Sequence, residues 1–212
     1  MLDKIEVLTH NSIRIQSEAG VIYADPFQVK EDYHDAAYIL VTHDHYDHFS
    51  PEDIAKIATP DTILVVPVKM HKKAKEAAEY VGQIVCVEQT DTIKVGNLTL
   101  ETIPAYNILK PFHTKGAGWV GYIICVDGCR IYVAGDIDEI KEAKEVKCDI
   151  ALVPIGGTYT LNPKSAADLI NTIRPKAAIP THYGNIIGKP KDAETFASLV
   201  DDGITVEAKI KF

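Results

Sequence analysis

The chain has 212 residues, of which 46% are hydrophobic and 25% charged, and its formal net charge is −8 at pH 7. This length and composition are those of a folded protein with a substantial core and exclude a disordered chain. The negative charge argues against a nucleic-acid partner, whose phosphates would be repelled. No signal-peptide pattern is present in the N-terminal stretch MLDKIEVLTHNS, and no apolar run is long enough to span a bilayer. We therefore expect a cytoplasmic protein without a membrane partner.

The first half of the chain is predicted to consist mainly of short strands. Alternating or continuous apolar residues predict strands at residues 4–9, 12–17, 21–24, 38–41 and 63–66. Ser50, followed by Pro51 and two acidic residues, is typical of a helix N-terminus because its side chain can cap the first turn. A charged segment at residues 69–81 predicts a second helix.

The second half begins with two predicted hairpins separated by a long polar loop. The first hairpin covers residues 92–100, and Gly96 opens its two-residue turn. The second comprises residues 119–126 and 130–134. Between them, residues 105–118 show no periodicity, and a loop of this length inside a compact domain is usually functional. Helices and strands then alternate at residues 138–145, 150–154, 162–174, 177–180, 192–202 and 205–210.

The four cysteines show no CxxC spacing and are predicted to be reduced. Cys125 and Cys129 flank the turn of the second hairpin, where a two-residue loop directs their thiols to opposite faces of the sheet. Cys86, in the apolar run at residues 84–87, is predicted to be a small core residue. The cysteines therefore indicate neither a disulfide framework nor a metal site.

A dense group of metal-capable side chains follows the strand at residues 38–41. The segment THDHYDHFS, residues 42–50, contains His43, His45, Asp47 and His48. His43 and His45 are two apart on an extended segment, so they point the same way and suit one ion, while Asp47 and His48 suit a second. Nitrogen donors with one carboxylate favour zinc, with manganese or iron as alternatives, over calcium or magnesium.

Two further candidate ligands end other predicted strands. Asp136 follows the strand at residues 130–134, and His182 follows the strand at residues 177–180. Taken alone, Asp136 after a glycine is also typical of a turn, and His182 of an ordinary loop histidine. Their shared position at strand ends favours metal binding, with Asp136 bridging two ions and His182 completing the second site. We expect up to two divalent ions per chain, and we expect Asp47 and Asp136 to serve catalysis as well as binding.

These residues resemble the pattern of a known family. His43-x-His45-x-Asp47-His48, Gly135-Asp136 and Pro180-Thr181-His182 resemble the metallo-β-lactamase fold superfamily of metal-dependent hydrolases. Asp25-Pro26 and residues 154–160 are similar to the ascorbate-6-phosphate-lactonase-like branch. The resemblance covers nearly the whole chain, in agreement with one domain over residues 1–212. It implies an α+β fold, an αββα sandwich of two mixed β-sheets with helices on the outer faces, and a metal pair at one edge of the sheets.

One position departs from the family pattern. The family places a further histidine of the first metal site where this chain has Asn107. Three alternatives follow: His113 supplies the ligand from further along the loop, Asn107 supplies a weaker oxygen donor, or the first site binds its ion loosely or stays empty. The length of the loop favours His113. Because an amide oxygen binds zinc less strongly than imidazole, the sequence predicts unequal sites, the one with Asp47, Asp136 and His182 being tighter.

Four other residues are predicted to support the site. Asp25 is a candidate acceptor for the N–H of a ligand histidine, which would fix its tautomer. His10 is similar to an early histidine of the family near the site mouth, with a plain turn residue as an equal alternative. Gly157 and Thr158 could offer backbone N–H groups to a substrate anion, but a simple strand-to-helix connection is the better prediction from the sequence alone.

The predicted function is hydrolysis of an ester, lactone or phosphodiester of a small-molecule substrate, for which the resemblance implies a metal-bridging hydroxide as nucleophile. The alternative is a non-catalytic or regulatory metal-binding protein on the same fold, a role that Asn107 makes conceivable. A nuclease-type phosphodiesterase is a third interpretation, disfavoured because the chain is acidic and has no added basic domain. The sequence does not determine the substrate, the metal, or whether the chain forms a homo-oligomer.

Overall fold

The computed structural model describes residues 1–108, 110 and 112–212, so Leu109 and Pro111 of the predicted loop at residues 105–118 lie outside the described residues. The described strands form two sheets. The first sheet has the order β1 (Ile5–Thr9), β2 (Ser12–Ser17), β3 (Gly20–Ala24), β4 (Ala36–Leu40), β5 (Ile63–Pro67) and β6 (Gln83–Val87). In the second sheet, too, strands that follow one another in the chain are neighbours. Its strands are β7 (Thr92–Val95), β8 (Leu98–Pro104), β9 (Val120–Val126), β10 (Cys129–Val133), β11 (Ile150–Pro154), β12 (Ala177–Thr181) and β13 (Thr205–Val206).

Both sheets mix antiparallel and parallel pairs. In the first sheet, β1 to β3 are antiparallel and β3 to β6 are parallel. In the second sheet, β7 to β10 are antiparallel and β10 to β13 are parallel. Parallel neighbours end at the same edge of a sheet, so the loops that follow them can be brought together there.

The main apolar core lies between the two sheets. Leu40 on β4 and Ile15 on β2 pack in one cluster with Leu100 on β8 and Ile124 on β9, and all four are fully buried. Ile39, next to Leu40, points to the opposite face of the first sheet and joins a separate cluster there. A strand buried on both faces explains the continuous apolar run that precedes the histidine-rich loop.

The described helices cover the outer faces of the sheets. They are α1 (Pro51–Ile57), α2 (His71–Ala74), α3 (Lys141–Lys144), α4 (Pro163–Ile173) and α5 (Asp192–Leu199). The first two pack on the first sheet and the other three on the second. The predicted α+β sandwich of two mixed sheets between helical layers is therefore confirmed, while one domain over residues 1–212 stays a prediction. The longest of these helices, α4, has 11 residues, and none in the described part of the chain could cross a membrane.

The predicted turns and caps are confirmed. Gly96 has a φ of +56°, and the two-residue turn that it opens pairs Val95 with Leu98. The Ser50 side chain accepts a hydrogen bond from the backbone N–H of Asp53 at the start of α1. A further cap lies at the start of α4, where Asn162 forms a capping box with Ser165.

The predictions for the cysteines are confirmed in part. All four are free, and Cys125 pairs with Arg130 while Cys129 pairs with Val126, so the two thiols point to opposite faces. The prediction for Cys86 is wrong. It lies on β6, the edge strand of the first sheet, and its side chain is exposed rather than part of the core.

Three predicted elements are shorter than expected by four residues or more, and the helix predicted at residues 192–202 ends at Leu199. The helix at residues 69–81 is reduced to α2 with a 3-10 turn on either side, because no side chain caps its start and the basic residues there oppose the helix dipole. The helix at residues 138–145 begins only at Lys141, since the Asp138 carboxylate is occupied by the backbone N–H of Ile108. The strand at residues 205–210 ends at Val206, where pairing with β12 stops.

Two hydrogen bonds join the sheets beside the loop that follows β4. The Tyr122 hydroxyl on β9 donates to the carbonyl oxygen of Val41 at 2.8 Å, and the Val120 N–H donates to the carbonyl oxygen of Thr42 at 3.2 Å. Tyr122 is fully buried. These contacts fix the start of the histidine-rich loop against the second sheet.

Replacing Tyr122 with phenylalanine is therefore expected to lower the free energy of unfolding by about 1–2 kcal/mol, because it leaves a buried carbonyl without its donor. Tyr132→Phe is the matched control. Tyr132 is equally buried in the same sheet, but its hydroxyl has no hydrogen-bond partner among the described residues. Urea denaturation should show a loss for Tyr122→Phe and none for Tyr132→Phe, and equal effects would contradict the role given to the inter-sheet bond.

Candidate metal centre

Loops at one end of the two sheets bring the predicted ligands together. Gly135, with a φ of +68°, forms the turn that precedes Asp136, and a Cβ at this glycine would lie 3.0 Å from the Thr42 side chain. Glycine avoids both the strain of this backbone angle and the close contact that a side chain would make. The predicted ligands meet in what is called here the metal-ligand cluster: His43, His45, Asp47, His48, His113, Asp136 and His182. His10 lies beside it, with a ring nitrogen within 4.8 Å of the ligand atoms of Asp47, His48 and His182.

The first part of the cluster, called here the histidine set, is His43, His45 and His113. Their ligand atoms lie within 4.8 Å of one another, and His113 Nε2 is 3.3 Å from His43 Nε2. Trp119 packs against the three rings with centroid distances of 4.9, 4.9 and 5.0 Å. The sequence left three alternatives for the first metal site, of which His113 as a ligand was one. The structure places His113 beside His43 and His45, as that alternative requires.

The second part, called here the carboxylate set, is Asp47, His48 and His182. Asp47 Oδ2 lies 3.8 Å from His48 Nε2 and 3.6 Å from His182 Nε2. His10 supports this set: its Nε2 is 3.1 Å from Asp47 Oδ2, and its ring lies 3.7 Å from the His182 ring between centroids. The backbone N–H of His182 also donates to the His10 carbonyl oxygen. His10 thus lies within the site and contacts two of the candidate ligands.

Asp136 lies between the two sets and presents one oxygen to each. Its Oδ2 is 3.2 Å from His113 Nε2 and 3.9 Å from His43 Nε2. Its Oδ1 is 3.2 Å from His182 Nε2 and 3.4 Å from His48 Nε2. A carboxylate placed in this way has the geometry needed to contact two neighbouring ions at once.

The donor atoms fit a divalent metal. His48 Nε2, His182 Nε2 and Asp136 Oδ1 are buried, and within the described ranges none of them has a hydrogen-bond partner. Buried polar atoms without partners are costly, so a cluster of such atoms facing one another is typical of a cation site. Five histidines and two carboxylates in the metal-ligand cluster form a nitrogen-rich donor set, which suits zinc, iron or manganese better than calcium.

Asp25 fixes the orientation of two candidate ligands from beneath the site. This fully buried carboxylate accepts hydrogen bonds from the Thr42 backbone and hydroxyl, from Asn11 and from His48 Nδ1, all at 2.7–2.8 Å. Because Thr42 donates its hydroxyl proton to Asp25, it must accept from Nδ1 of His43, 2.9 Å away. Both histidines then carry their proton on Nδ1 and present the lone pair of Nε2 to the cluster.

Asp25→Asn is expected to weaken metal binding about 10–100-fold, because an amide cannot accept from all of these donors and the two imidazoles lose their fixed tautomers. Competition with a chelator of known affinity gives the dissociation constant. Asp53→Asn is the control, since Asp53 is another buried carboxylate that accepts two backbone N–H bonds but lies outside the cluster. Equal metal affinity in both variants and the unaltered protein would exclude the role given to Asp25.

Burial and neighbouring charges set the protonation states in the cluster. Burial raises the pKa of Asp136, but His182 and His48 outweigh it and hold that pKa well below its ordinary value. Burial lowers the pKa of His43 well below its ordinary value and that of His10 to about 4. Burial also lowers the pKa of His182, but Asp136 and Asp47 outweigh it and raise that pKa to about 10. An ion bound by His182 would therefore displace a proton.

Asn107 lies behind His113. Its Nδ2 donates to the backbone carbonyl of Tyr159 at 2.5 Å and is 3.4 Å from His113 Nδ1, the ring nitrogen turned away from Asp136. The backbone N–H of Asn107 also donates to the His113 carbonyl oxygen. Asn107 therefore packs the loop that carries His113 against the segment that carries Tyr159.

A cavity of about 230 Å³ opens above the cluster. Its floor is formed by cluster residues, and its walls by Tyr46, Phe112, Tyr159, Ile186 and Ile187. The sequence pattern did not identify these wall residues, because they come from separate loops and share no spacing. The one available signal was the length of the loop at residues 105–118, which contains Phe112.

Of the two alternatives for Gly157 and Thr158, the hydrogen bonds of the Gly157 N–H favour a simple connection over an anion-binding role. That N–H already donates to the Leu161 carbonyl oxygen at 3.0 Å and approaches the Thr160 hydroxyl at 3.3 Å. Neither Gly157 nor Thr158 is among the described residues that line the cavity. The turn is the strand-to-helix connection that the sequence favoured.

Comparison with known proteins identifies the family. A family model described as a beta-lactamase superfamily domain matches residues 4–182. A UPF0173 metal-dependent hydrolase from Methanosphaera stadtmanae is 30% identical over 224 residues, covering 95% of this chain and 92% of that relative. Another from Archaeoglobus fulgidus is 29% identical, covering 98% and 95%. A crystal structure assigned to a metal-dependent hydrolase of Parabacteroides distasonis is 30% identical, with a TM-score of 0.80 over 98% of this chain and 93% of that one.

The chain belongs to the beta-lactamase superfamily and, within it, to the UPF0173 metal-dependent hydrolases. The predicted superfamily and the predicted hydrolase class are thereby confirmed. The ascorbate-6-phosphate-lactonase-like branch stays a prediction.

Proposed function

We propose that the chain holds two divalent ions, zinc in preference to manganese or iron, and hydrolyses an ester, lactone or phosphodiester of a small molecule. The position of Asp136 is the observation that supports this most directly. One buried carboxylate that presents separate oxygens to two groups of three candidate ligands would be available to two ions at once.

In this proposal each set holds one ion and Asp136 contacts both. The carboxylate set is the tighter site, because Asp47 adds a negative charge and imidazole nitrogens complete the coordination. In the histidine set, His113 takes the place of the histidine that Asn107 replaces. The distances from His113 Nε2 to His43 Nε2, 3.3 Å, and to Asp136 Oδ2, 3.2 Å, support this assignment.

Ions of this kind lower the pKa of a bound water and polarise the bond under attack. Other residues of the chain hold the candidate ligands in their orientations. Asp25 holds His48 directly and His43 through Thr42. His10 donates to Asp47 and keeps its carboxylate directed at the cluster. The reacting group of the substrate enters from the cavity, whose floor is the cluster itself. The net charge of −8 supports a small-molecule substrate rather than a nucleic acid.

The test is reconstitution of metal-free protein with zinc, manganese or iron(II), followed by assay on activated esters, lactones and bis(4-nitrophenyl) phosphate. We expect turnover that requires two equivalents of metal, disappears with a chelator and returns when metal is restored. One tightly held ion without turnover across the panel would contradict the proposal and favour a regulatory metal-binding protein.

A further inference from the structure

We infer that the part of the substrate that does not react is an uncharged, apolar group about the size of an aromatic ring, held between the walls of the cavity. The inference rests on the proposed function for the position of the reacting bond. It goes further by naming the chemistry of the remaining part of the substrate.

The walls consist of apolar and aromatic side chains. Phe112 and Tyr159 contact each other edge to face with ring centroids 5.6 Å apart, and Ile186 and Ile187 also line the cavity. Small-molecule sites of this kind use apolar walls for binding energy and a few polar groups for orientation. Here the charged and metal-capable groups are all in the floor, at the metal-ligand cluster, and the walls add only the hydroxyls of Tyr46 and Tyr159.

No lysine or arginine is among the described residues that line the cavity. Two lysines of the adjoining loop are engaged elsewhere: Lys110 is held by Asp138, and Lys115 lies 2.7 Å from Glu142. A phosphate, sulfonate or carboxylate on the non-reacting part would therefore meet apolar side chains without a counter-charge. Burying an unpaired anion is strongly unfavourable, so the walls select against it.

The wall side chains are largely exposed to solvent, and a bound apolar group would cover them. Tyr46 is 65% exposed, Phe112 51%, and Tyr159 and Ile186 44% each. Exposed apolar side chains gathered in one place usually mark a binding site. The volume of about 230 Å³ suits one ring or a short chain. Because these side chains adjoin the cluster, a ligand that covers them also places a neighbouring bond above it.

The test is equilibrium binding of inert amides to the zinc-loaded protein by titration calorimetry. We expect phenylacetamide to bind at least tenfold more tightly than acetamide, and also than its 4-sulfonate derivative, which has the same ring with a negative charge. Phe112→Ser and Tyr159→Ser should each weaken phenylacetamide binding at least threefold and leave acetamide binding and zinc content unchanged. Leu199→Ser is the control, since Leu199 is 43% exposed at the end of α5, away from the cavity.

Equal binding of phenylacetamide and its sulfonate, or insensitivity to both serine variants, would overturn the inference. A change of oligomeric state in Phe112→Ser without a change in amide binding would also overturn it, since the patch would then be a contact between copies. Binding at equilibrium does not depend on turnover. Selective phenylacetamide binding without hydrolysis of any ester would therefore count against the proposed function and leave the apolar site in place.

Discussion

Asp136→Ala is expected to abolish activity and reduce bound metal to less than one ion per chain. Asp136 faces both ligand sets with separate oxygens, so its loss removes a ligand from each ion. Substitution of a residue that only supports a metal ligand already costs about 10–100-fold in affinity or activity, and a shared ligand should cost more. Elemental analysis after dialysis and an esterase assay measure the two effects.

The fold should remain intact in Asp136→Ala, because the side chain belongs to the cluster and not to the apolar core. Circular dichroism checks this. Asp149→Ala is a suitable control: the Asp149 carboxylate accepts the backbone N–H of Arg130 and is remote from the cluster. If Asp136→Ala retains both ions, Asp136 does not bridge them.

His113→Ala is expected to remove the ion of the histidine set and leave about one ion per chain. His113 is one of three imidazoles in that set, and two remaining imidazoles with a shared carboxylate hold zinc much less strongly. A thousandfold loss of affinity corresponds to about 4 kcal/mol, enough to empty the site during dialysis. Metal content and chelator competition give the occupancy of each site.

Comparing Asn107→Ala with His113→Ala shows which of the two residues binds the metal and which only contacts the ligand. Asn107 contacts His113 and Tyr159, so its loss should weaken the same site about tenfold without emptying it. The reverse order, with Asn107→Ala losing an ion and His113→Ala keeping both, would show that the asparagine is the ligand. Two ions retained equally in both variants would show that neither residue binds metal.

Much of the fold and part of the candidate site follow from local sequence patterns. His43, His45, Asp47 and His48 directly follow β4 of the first sheet, and Asp136 and His182 follow β10 and β12 of the second. The position of each residue after an apolar strand is visible in the sequence, whereas their meeting depends on how the two sheets pack. Turn and cap residues such as Gly96 and Ser50 act within a few residues of themselves. Such signals are visible without knowledge of the tertiary structure.

The remaining features depend on contacts between distant segments. Phe112, Tyr159 and Ile186 form walls only because three loops meet, and nothing in their spacing indicates it. Gly157 donates inside its own turn, which a motif of small residues does not reveal. Cys86 lies in an apolar run but on an edge strand, where one face is open to solvent. Whether a strand lies at the edge of a sheet depends on the order of the strands, and the sequence pattern does not determine that order.

Titration of metal-free protein with zinc tests the two-ion centre most directly. Trp119 is the single tryptophan of the chain and packs on the histidine set, so its fluorescence should respond most strongly to an ion bound there. Calorimetry gives the total number of ions bound. We expect two equivalents per chain, the first of which leaves Trp119 fluorescence nearly unchanged and the second of which alters it. Saturation at a single equivalent would contradict the two-ion centre.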